Sequence, residues 1–479
     1  MATSTQTVVP LLIAGQEEAG AATFDVISPY TGETCWKAAD ATEEDAVRAA
    51  DAAAAALPAW SQMKPTARRD VLLKAADILE SRLEENASYM RTEMGADVAA
   101  SQYFVVPLSI RMLRDIAGRI TSICGSVPVV EEDGQSAIVF KEPIGVVLGI
   151  VPWNAPYVFG IRSAACALAA GNTTILKPSE LSPRCYWAIG KAFQDAGLPE
   201  GCLNIVSCSA KAAPAVVNAM IEHRAVRKIN FTGSTAVGRK IAEACGRNLK
   251  PCLMELGGKN SAIVCEDADL DLAANNIIAG SFLNSGQICM STDRIIVHAS
   301  VAEKFGEALK KAAAQSSNGA SERPTLVSAA SKARVQNIVS NALSAGANLL
   351  IGSTDQANDK GVRITPVILD KVDKNMAVWN DEAFAPVAAC MTVETDDQAV
   401  ALANQGGYGL SAAVFTENLR KGLALAKRIE SGAVHINSMT IHDEPVLPHG
   451  GVKDSGWGRF NANMGLDEFL VTKTVTWKD

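Results

Sequence analysis

The sequence predicts an α/β protein built on parallel, doubly wound sheets. Three observations carry that prediction. From Val146 onward, short β-branched and apolar runs alternate with helical stretches of about 10–15 residues. The second half of the chain repeats the alternation. The length, 479 residues, suits two or three domains, each with a large core that needs no disulfide or structural metal.

Residues 41–99 read as helical. The stretch ATEEDAVRAADAAAAALPAW is alanine-rich, with Thr42 placed to cap it and acids in its first turn. The stretch TARRDVLLKAADILESRLEENASYMRTEMG spaces its apolar residues by three and four. Val146 to Val151 is a buried strand, followed by a helix over about 157–170 and a strand over Thr173 to Leu176. A helix over about 183–196, a strand from Leu203 to Val206, a helix over about 211–221, a strand from Lys228 to Phe231 and a helix over about 235–246 follow. In the second half, Ser261 to Val264 and Arg294 to His298 are strands, with helices near 302–315 and 329–345. Val471 to Trp477 alternates like a half-buried strand and needs a sheet to join. Gln135 to Lys141, or a second subunit, supplies one. There is no internal repeat and no low-complexity linker.

Hydrophobic residues make up 48% of the chain and charged residues 20%, ordinary globular usage. A net charge of −8 disfavours nucleic acid and anionic membranes as partners, because both reward clustered Lys and Arg. No pair among the 11 cysteines has C-x-x-C spacing, which removes zinc ribbons and thioredoxin-type motifs. Scattered cysteines in odd number read as reduced thiols, hence a cytoplasmic location. The opening MATSTQTVVPLLIAGQ lacks a basic flank and contains Pro10, so it is a poor signal peptide. No run approaches the roughly 20 apolar residues that span a bilayer. The final Thr476-Trp477-Lys478-Asp479 carries no legible address.

Five segments are placed where chemistry can occur. In Phe231-Thr232-Gly233-Ser234-Thr235-Ala236-Val237-Gly238 a strand ends, a glycine turns and a helix starts, which leaves N–H groups for phosphate. The spacing is neither a P-loop nor G-x-G-x-x-G, and a plain βα turn explains it equally well. Lys177 and Glu180, in KPSE after a strand, suit a ribose, although two solvated loop charges are the simpler account. Asn154 of Pro152-Trp153-Asn154 offers an amide to an oxyanion, or merely satisfies a turn. Glu255 sits in an apolar stretch before Gly257-Gly258, as a general base or a satisfied core acid. Cys289 lies in a Gly-Gln loop between a helix and a strand. Most buried cysteines are inert, but this position lets a thiol reach a cleft.

Together these segments resemble the aldehyde dehydrogenase superfamily over almost the whole chain. MELGGK around Glu255 and F-x-N-x-G-Q-x-C ending at Cys289 are the most specific marks. FTGS (231–234), PWN (152–154), KPSE (177–180) and Glu382-Ala383-Phe384-Ala385-Pro386-Val387 agree in order and spacing. The resemblance implies a Rossmann-like cofactor domain (1–122 and 146–256), a catalytic domain (257–458) and a β oligomerisation arm (123–145 and 459–479). It implies a homodimer or homotetramer. Cys289 is then the nucleophile, Asn154 with the Cys289 N–H the oxyanion hole, and Glu255 the base for hydrolytic water. NAD is the implied cofactor: Lys177 and Glu180 hold the adenosine ribose, Gly233 to Gly238 face the pyrophosphate, Glu382 holds the other ribose, and Trp153 and Phe384 pack near it. Glu180 favours the free 2′-hydroxyl of NAD over the 2′-phosphate of NADP. The Cys289 thiol needs a lowered pKa or a nearby base.

Two positions depart from the family pattern. Ala385 stands where glycine is frequent, and His449 where an aromatic is common. The segment Asn437 to Pro445 is similar to that of salicylaldehyde, benzaldehyde and vanillin dehydrogenases, which implies an aromatic aldehyde. Tyr157 is expected as an aromatic wall, with Ile288 and Met290 as apolar contacts. Arg162, among small apolar residues, needs a partner: a substrate group or, as the simpler account, an internal carboxylate. Rival readings are an aliphatic or semialdehyde dehydrogenase, a CoA-acylating dehydrogenase, a cysteine hydrolase with a histidine on Cys289, and a non-catalytic protein on the same fold.

Overall fold

The computed structural model describes residues 8–317, 323–353 and 361–478. Met1 to Thr7 of the opening segment, and Asp479 of the final one, lie outside the described residues. Two large sheets organise the rest. The first has eight strands in the order Gly456–Trp457, Cys252–Glu255, Val226–Thr232, Val146–Ile150, Thr173–Lys177, Leu203–Ile205, Leu11–Ile13, Gln16–Glu18. Its five central strands are parallel, and short antiparallel strands close both edges. From Val146–Ile150 the chain builds outward through Thr173–Lys177 and Leu203–Ile205, then returns to place Val226–Thr232 on the other side. The strand order therefore reverses between Val146–Ile150 and Val226–Thr232, and a crevice for ligands opens beyond the carboxyl ends of strands at such a point.

The second sheet has seven strands, with Asn260–Val264 near its middle between Thr292–His298 and Ser411–Phe415. It is parallel apart from the edge pair Asn348–Ile351 and Val367–Asp370. The central strands of both sheets are buried along their length, which is why they read as continuous apolar runs rather than alternating ones. The first sheet ends at Glu255 and the second begins at Asn260, so Leu256 to Lys259 carries the chain from the carboxyl edge of one sheet to the amino edge of the other.

Helices cover both faces. Glu43–Gln62 starts at Thr42, whose side chain accepts from the Asp45 N–H while the Asp45 carboxylate accepts from the Thr42 N–H. Pro156–Ala169 is buried on every side, since it packs on the sheet and under other helices. Leu470–Lys478 pairs antiparallel with Gln135–Pro143 as a separate two-stranded sheet, the partner the alternation pointed to. A small sheet of Val8–Val9, Thr34–Ala39 and Thr23–Ile27 was not foreseen, because its strands are short and polar-interrupted. A π-helical segment at Ala99–Val105 leading into Val106–Arg119 also gave no periodic signal.

Candidate active site

The loop carrying Cys289 is wound left-handed for three successive residues: Asn284, Ser285 and Gly286 have φ of 51°, 58° and 67°. Two of these are not glycine, and such backbone persists only where its surroundings hold it. They do so here. Gln287 donates to the carbonyls of Asn284 and Thr325 and accepts from the Val327 N–H. Asn260 Nδ2 donates to the carbonyls of Cys289 and Ser291, both at 2.8 Å. Thr440 Oγ1 donates to the Met290 carbonyl at 2.6 Å. The carbonyls of Cys289, Met290 and Ser291 are thereby fixed, two of them by Asn260 at the amino edge of the second sheet. Gly258 is required by the same packing, for a Cβ there would stand 2.4 Å from the Cys289 carbonyl oxygen.

Asn154 reaches this loop from the first sheet. Its Nδ2 donates to the Gln287 carbonyl at 3.0 Å, and its own carbonyl accepts from Asn284 Nδ2. Asn154 and Cys289 line one cavity. Glu255 closes on the thiol from the end of Cys252–Glu255. Its carboxylate is 1% exposed, and neither oxygen has a hydrogen-bond partner among the described residues. Burial, then the Glu255 carboxylate, push the Cys289 pKa well above its usual value. Of the two routes to activation, this direction favours the nearby base over a lowered thiol pKa.

Each remaining expected cofactor residue lies around the first-sheet crevice. Lys177 ends its strand buried, and its ammonium has no hydrogen-bond partner among the described residues; Glu180 is half-buried in the loop after it. Ser234 caps Thr235–Arg247 by accepting from the Val237 N–H, so the N–H groups of Thr235 and Ala236 remain at an open helix start. Gly238 brings that helix close, for a Cβ would stand 2.5 Å from Leu256. At Gly233 a Cβ would meet the Phe231 ring at 2.7 Å. Glu382 accepts from the Gly258 N–H at 3.0 Å, and its carboxylate occupies the space a Cβ on Gly257 would fill. Burial raises its pKa to about 8. Trp153 and Phe384 meet edge to face at 5.6 Å. Phe384, not Ala385, carries the left-handed backbone of that run, with φ of 50°, so alanine fits at 385. A helix start, a buried lysine and two carboxylates along one crevice fit a dinucleotide with its pyrophosphate and two riboses.

The cavity at Cys289 is mostly apolar. Phe104, Leu108, Val158, Phe159, Ile288 and Met290 form its walls. Ile288 and Met290 are where they were expected. Arg162 lines it too, and its partner is internal: Nη2 donates to Asp443 Oδ2 and Nε to Asn461 Oδ1 at 3.3 Å. Tyr157 is corrected. It is fully buried on the far side of its helix, and its hydroxyl donates to the Asn86 carbonyl at 3.1 Å, so the aromatic wall comes from Phe104 and Phe159. Positions one and two residues on from Tyr157 face the cavity because a helix turns about 100° per residue. Phe104 stands on the π-helical segment, which gave no pattern to find it by. His449 also lines the cavity, with Nε2 3.6 Å from Glu255 Oε1. The sequence marks His449 as a departure from the family pattern and gives no sign of its approach to Glu255. A cysteine hydrolase needs an imidazole on the thiol, and this one is directed at Glu255.

The comparisons agree with this geometry. Residues 16–475 match the model of the "Aldehyde dehydrogenase family". The chain is 42% identical over 476 residues to the vanillin dehydrogenase of a Pseudomonas species, which covers 98% of this chain and 97% of that one. A crystal structure of a salicylaldehyde dehydrogenase from Pseudomonas putida, complexed with salicylaldehyde, superposes with a TM-score of 0.94 at 34% identity, over 99% of this chain and 98% of the other. An NAD-dependent aldehyde dehydrogenase from Sinorhizobium meliloti gives 0.93 at 32% identity, over 99% and 95%. This chain belongs to the aldehyde dehydrogenase family and is an oxidoreductase acting on aldehydes.

Proposed function

We propose that the protein oxidises an aromatic aldehyde to its carboxylic acid with NAD. The observation that carries this reading is the apolar cavity between Phe104, Phe159 and Met290 that opens onto the Cys289 thiol beside Asn154. The likeness to vanillin and salicylaldehyde dehydrogenases supports it.

The residues divide the work as follows. Glu255 takes the thiol proton, and Cys289 Sγ adds to the aldehyde carbon. The negative oxygen accepts hydrogen bonds from Asn154 Nδ2 and the Cys289 N–H. When bound, NAD supplies the hydride acceptor, and a thioester on Cys289 results. After passing on the thiol proton, Glu255 takes a proton from water, which attacks the thioester; the carboxylic acid leaves, and Glu255 returns this proton to the Cys289 thiolate. Glu255 also disfavours the CoA-acylating alternative, because it provides for hydrolysis. The first sheet and its crevice hold the cofactor in this reading, and the second carries the thiol.

A panel of benzaldehydes against straight-chain aldehydes and succinic semialdehyde tests the substrate class. Aromatic aldehydes should lead in kcat/KM by about tenfold, or ~1.4 kcal/mol. The reverse order returns the reading to an aliphatic or semialdehyde dehydrogenase. For the cofactor, Glu180 beside Lys177 disfavours a 2′-phosphate, so initial rates should favour NAD over NADP. Equal or faster rates with NADP refute that assignment.

The two-stranded sheet shows Phe140, Val471, Val475 and Trp477 to solvent, each at least 40% exposed. An apolar sheet face with open edges invites a second copy. We assign it to a homodimer or homotetramer. Light scattering should give at least twice the chain mass, and a monomer at micromolar concentration contradicts it. All 11 cysteines are free of disulfides, which supports a reducing, cytoplasmic location.

A further inference from the structure

On the reading above, Glu255 accepts a proton twice in each turnover, first from the thiol and then from water, and gives one back to the Cys289 thiolate as the acid leaves. A base sealed from solvent to this degree needs a route by which the other proton leaves. His449 offers one. Its Nε2 is buried without a hydrogen-bond partner among the described residues and lies 3.6 Å from Glu255 Oε1, so a small rotation makes the bond. The ring is held in place by its backbone, whose N–H and carbonyl both pair with Phe460. The imidazole also borders a second cavity, lined by His435, His442, Glu444 and Leu447. There His442, with its side chain 35% exposed, bonds Glu444 at 2.9 Å, so this cavity leads toward the surface.

We propose that His449 is the relay through which Glu255 sheds this one proton per turnover into the second cavity. The relay rests on Glu255 acting as the base. In the step, the Glu255 O–H bond breaks, its electron pair returns to the carboxylate, and an N–H bond forms at His449 Nε2. The imidazolium then releases its Nδ1 proton to water in the second cavity. The charged and titratable groups around the ring are Glu255, Asp443, Glu444, Arg162, Cys289, His435 and His442. The carboxylates favour a transient imidazolium, and Arg162, which opposes it, is already paired with Asp443. Burial and the neighbouring histidines lower the pKa of His435 to about 4, so that ring is neutral and adds no positive charge. The relay acts through Glu255 and leaves the bond-making at Cys289 untouched.

The test compares full-length wild type with His449→Ala, His449→Phe and Glu255→Gln, using benzaldehyde and NAD. Phenylalanine keeps most of the ring volume should alanine fail to fold. Both His449 variants should lose about tenfold or more in kcat, within the span of proton-transfer effects. Because the lost step follows hydride transfer, KM should fall with kcat, leave kcat/KM within about twofold, and expose an NADH burst approaching one per site. Imidazole in the buffer should restore kcat to the alanine variant and not to the phenylalanine one. Unchanged kcat in both variants overturns the relay. So does a parallel fall of kcat and kcat/KM without a burst, or no rescue of the alanine variant. Glu255→Gln separates the two ideas. If it turns over normally, the reading of Glu255 as base fails. If it stalls after one NADH while both His449 variants turn over, the relay alone fails.

Discussion

Cys289→Ala is expected to abolish NAD-linked aldehyde oxidation, by on the order of 10⁴-fold or more, as for nucleophiles that work as one unit with their neighbours. The protein should still fold. Cys289 is 9% exposed and packs lightly among Ile288, Met290, Leu410 and Ile441, and the loop is held by backbone bonds that alanine keeps. The measurement is NADH formation under saturating benzaldehyde, with circular dichroism to show the native fold. Retained oxidation at more than a few per cent would remove Cys289 from the mechanism. Thiol alkylation alone does not identify the nucleophile. A hydrogen bond from Cys245 lowers the pKa of Cys252, whereas burial raises that of Cys289. In the protein without substrate, Cys252 is the more thiolate-like, and alkylation should mark it first.

Asp443→Asn is expected to cost about 3–5 kcal/mol, the range for removing one partner of a buried ion pair. The Arg162 guanidinium is 1% exposed, and its other contacts are Asn461 and the faces of Phe159 and Phe460. Without Asp443 its charge stands unmatched beside the substrate cavity. Burial by itself would raise the Asp443 pKa, but Arg162, His449 and the hydrogen bonds from Arg162 and Asn461 hold it below the ordinary carboxylate range. A carboxylate with a depressed folded pKa stabilises fully above its unfolded value. That contribution is lost as pH falls through the folded value. The gap in thermal-shift midpoint between wild type and Asp443→Asn should be large at pH 7 and shrink below about pH 4. A gap that is absent at pH 7, or that widens on acidification, contradicts this assignment.

Asp443 also shows where sequence reading stops. The need for a carboxylate near Arg162 is legible, since a guanidinium among alanines and glycine cannot stand alone. Which carboxylate serves is not, because the two residues are 281 positions apart. Local pattern served well wherever an element's own residues decide it. The buried strands of both sheets, the Thr42 cap and the pairing of Val471 to Trp477 with Gln135 to Lys141 are of this kind. The site was legible as a set of motifs, and the fold explains why they are separate in sequence: Glu255 ends one sheet, Asn260 starts the next, and Cys289 lies beside both. Tyr157 was misplaced because every residue of Pro156–Ala169 is buried, so composition does not say which face meets the cavity. His449 was undervalued because its significance lies in Glu255, 194 residues away.

The most direct test of the account is a single turnover of Glu255→Gln with benzaldehyde and NAD, followed by mass spectrometry of the peptide containing Cys289. NADH should form much more slowly than in wild type and stop at one per active site, with a benzoyl group held on Cys289, since the base is needed both to ionise the thiol and to activate the water. A first turnover as fast as that of wild type, NADH beyond one per site, or an acyl group found on any other residue would contradict it.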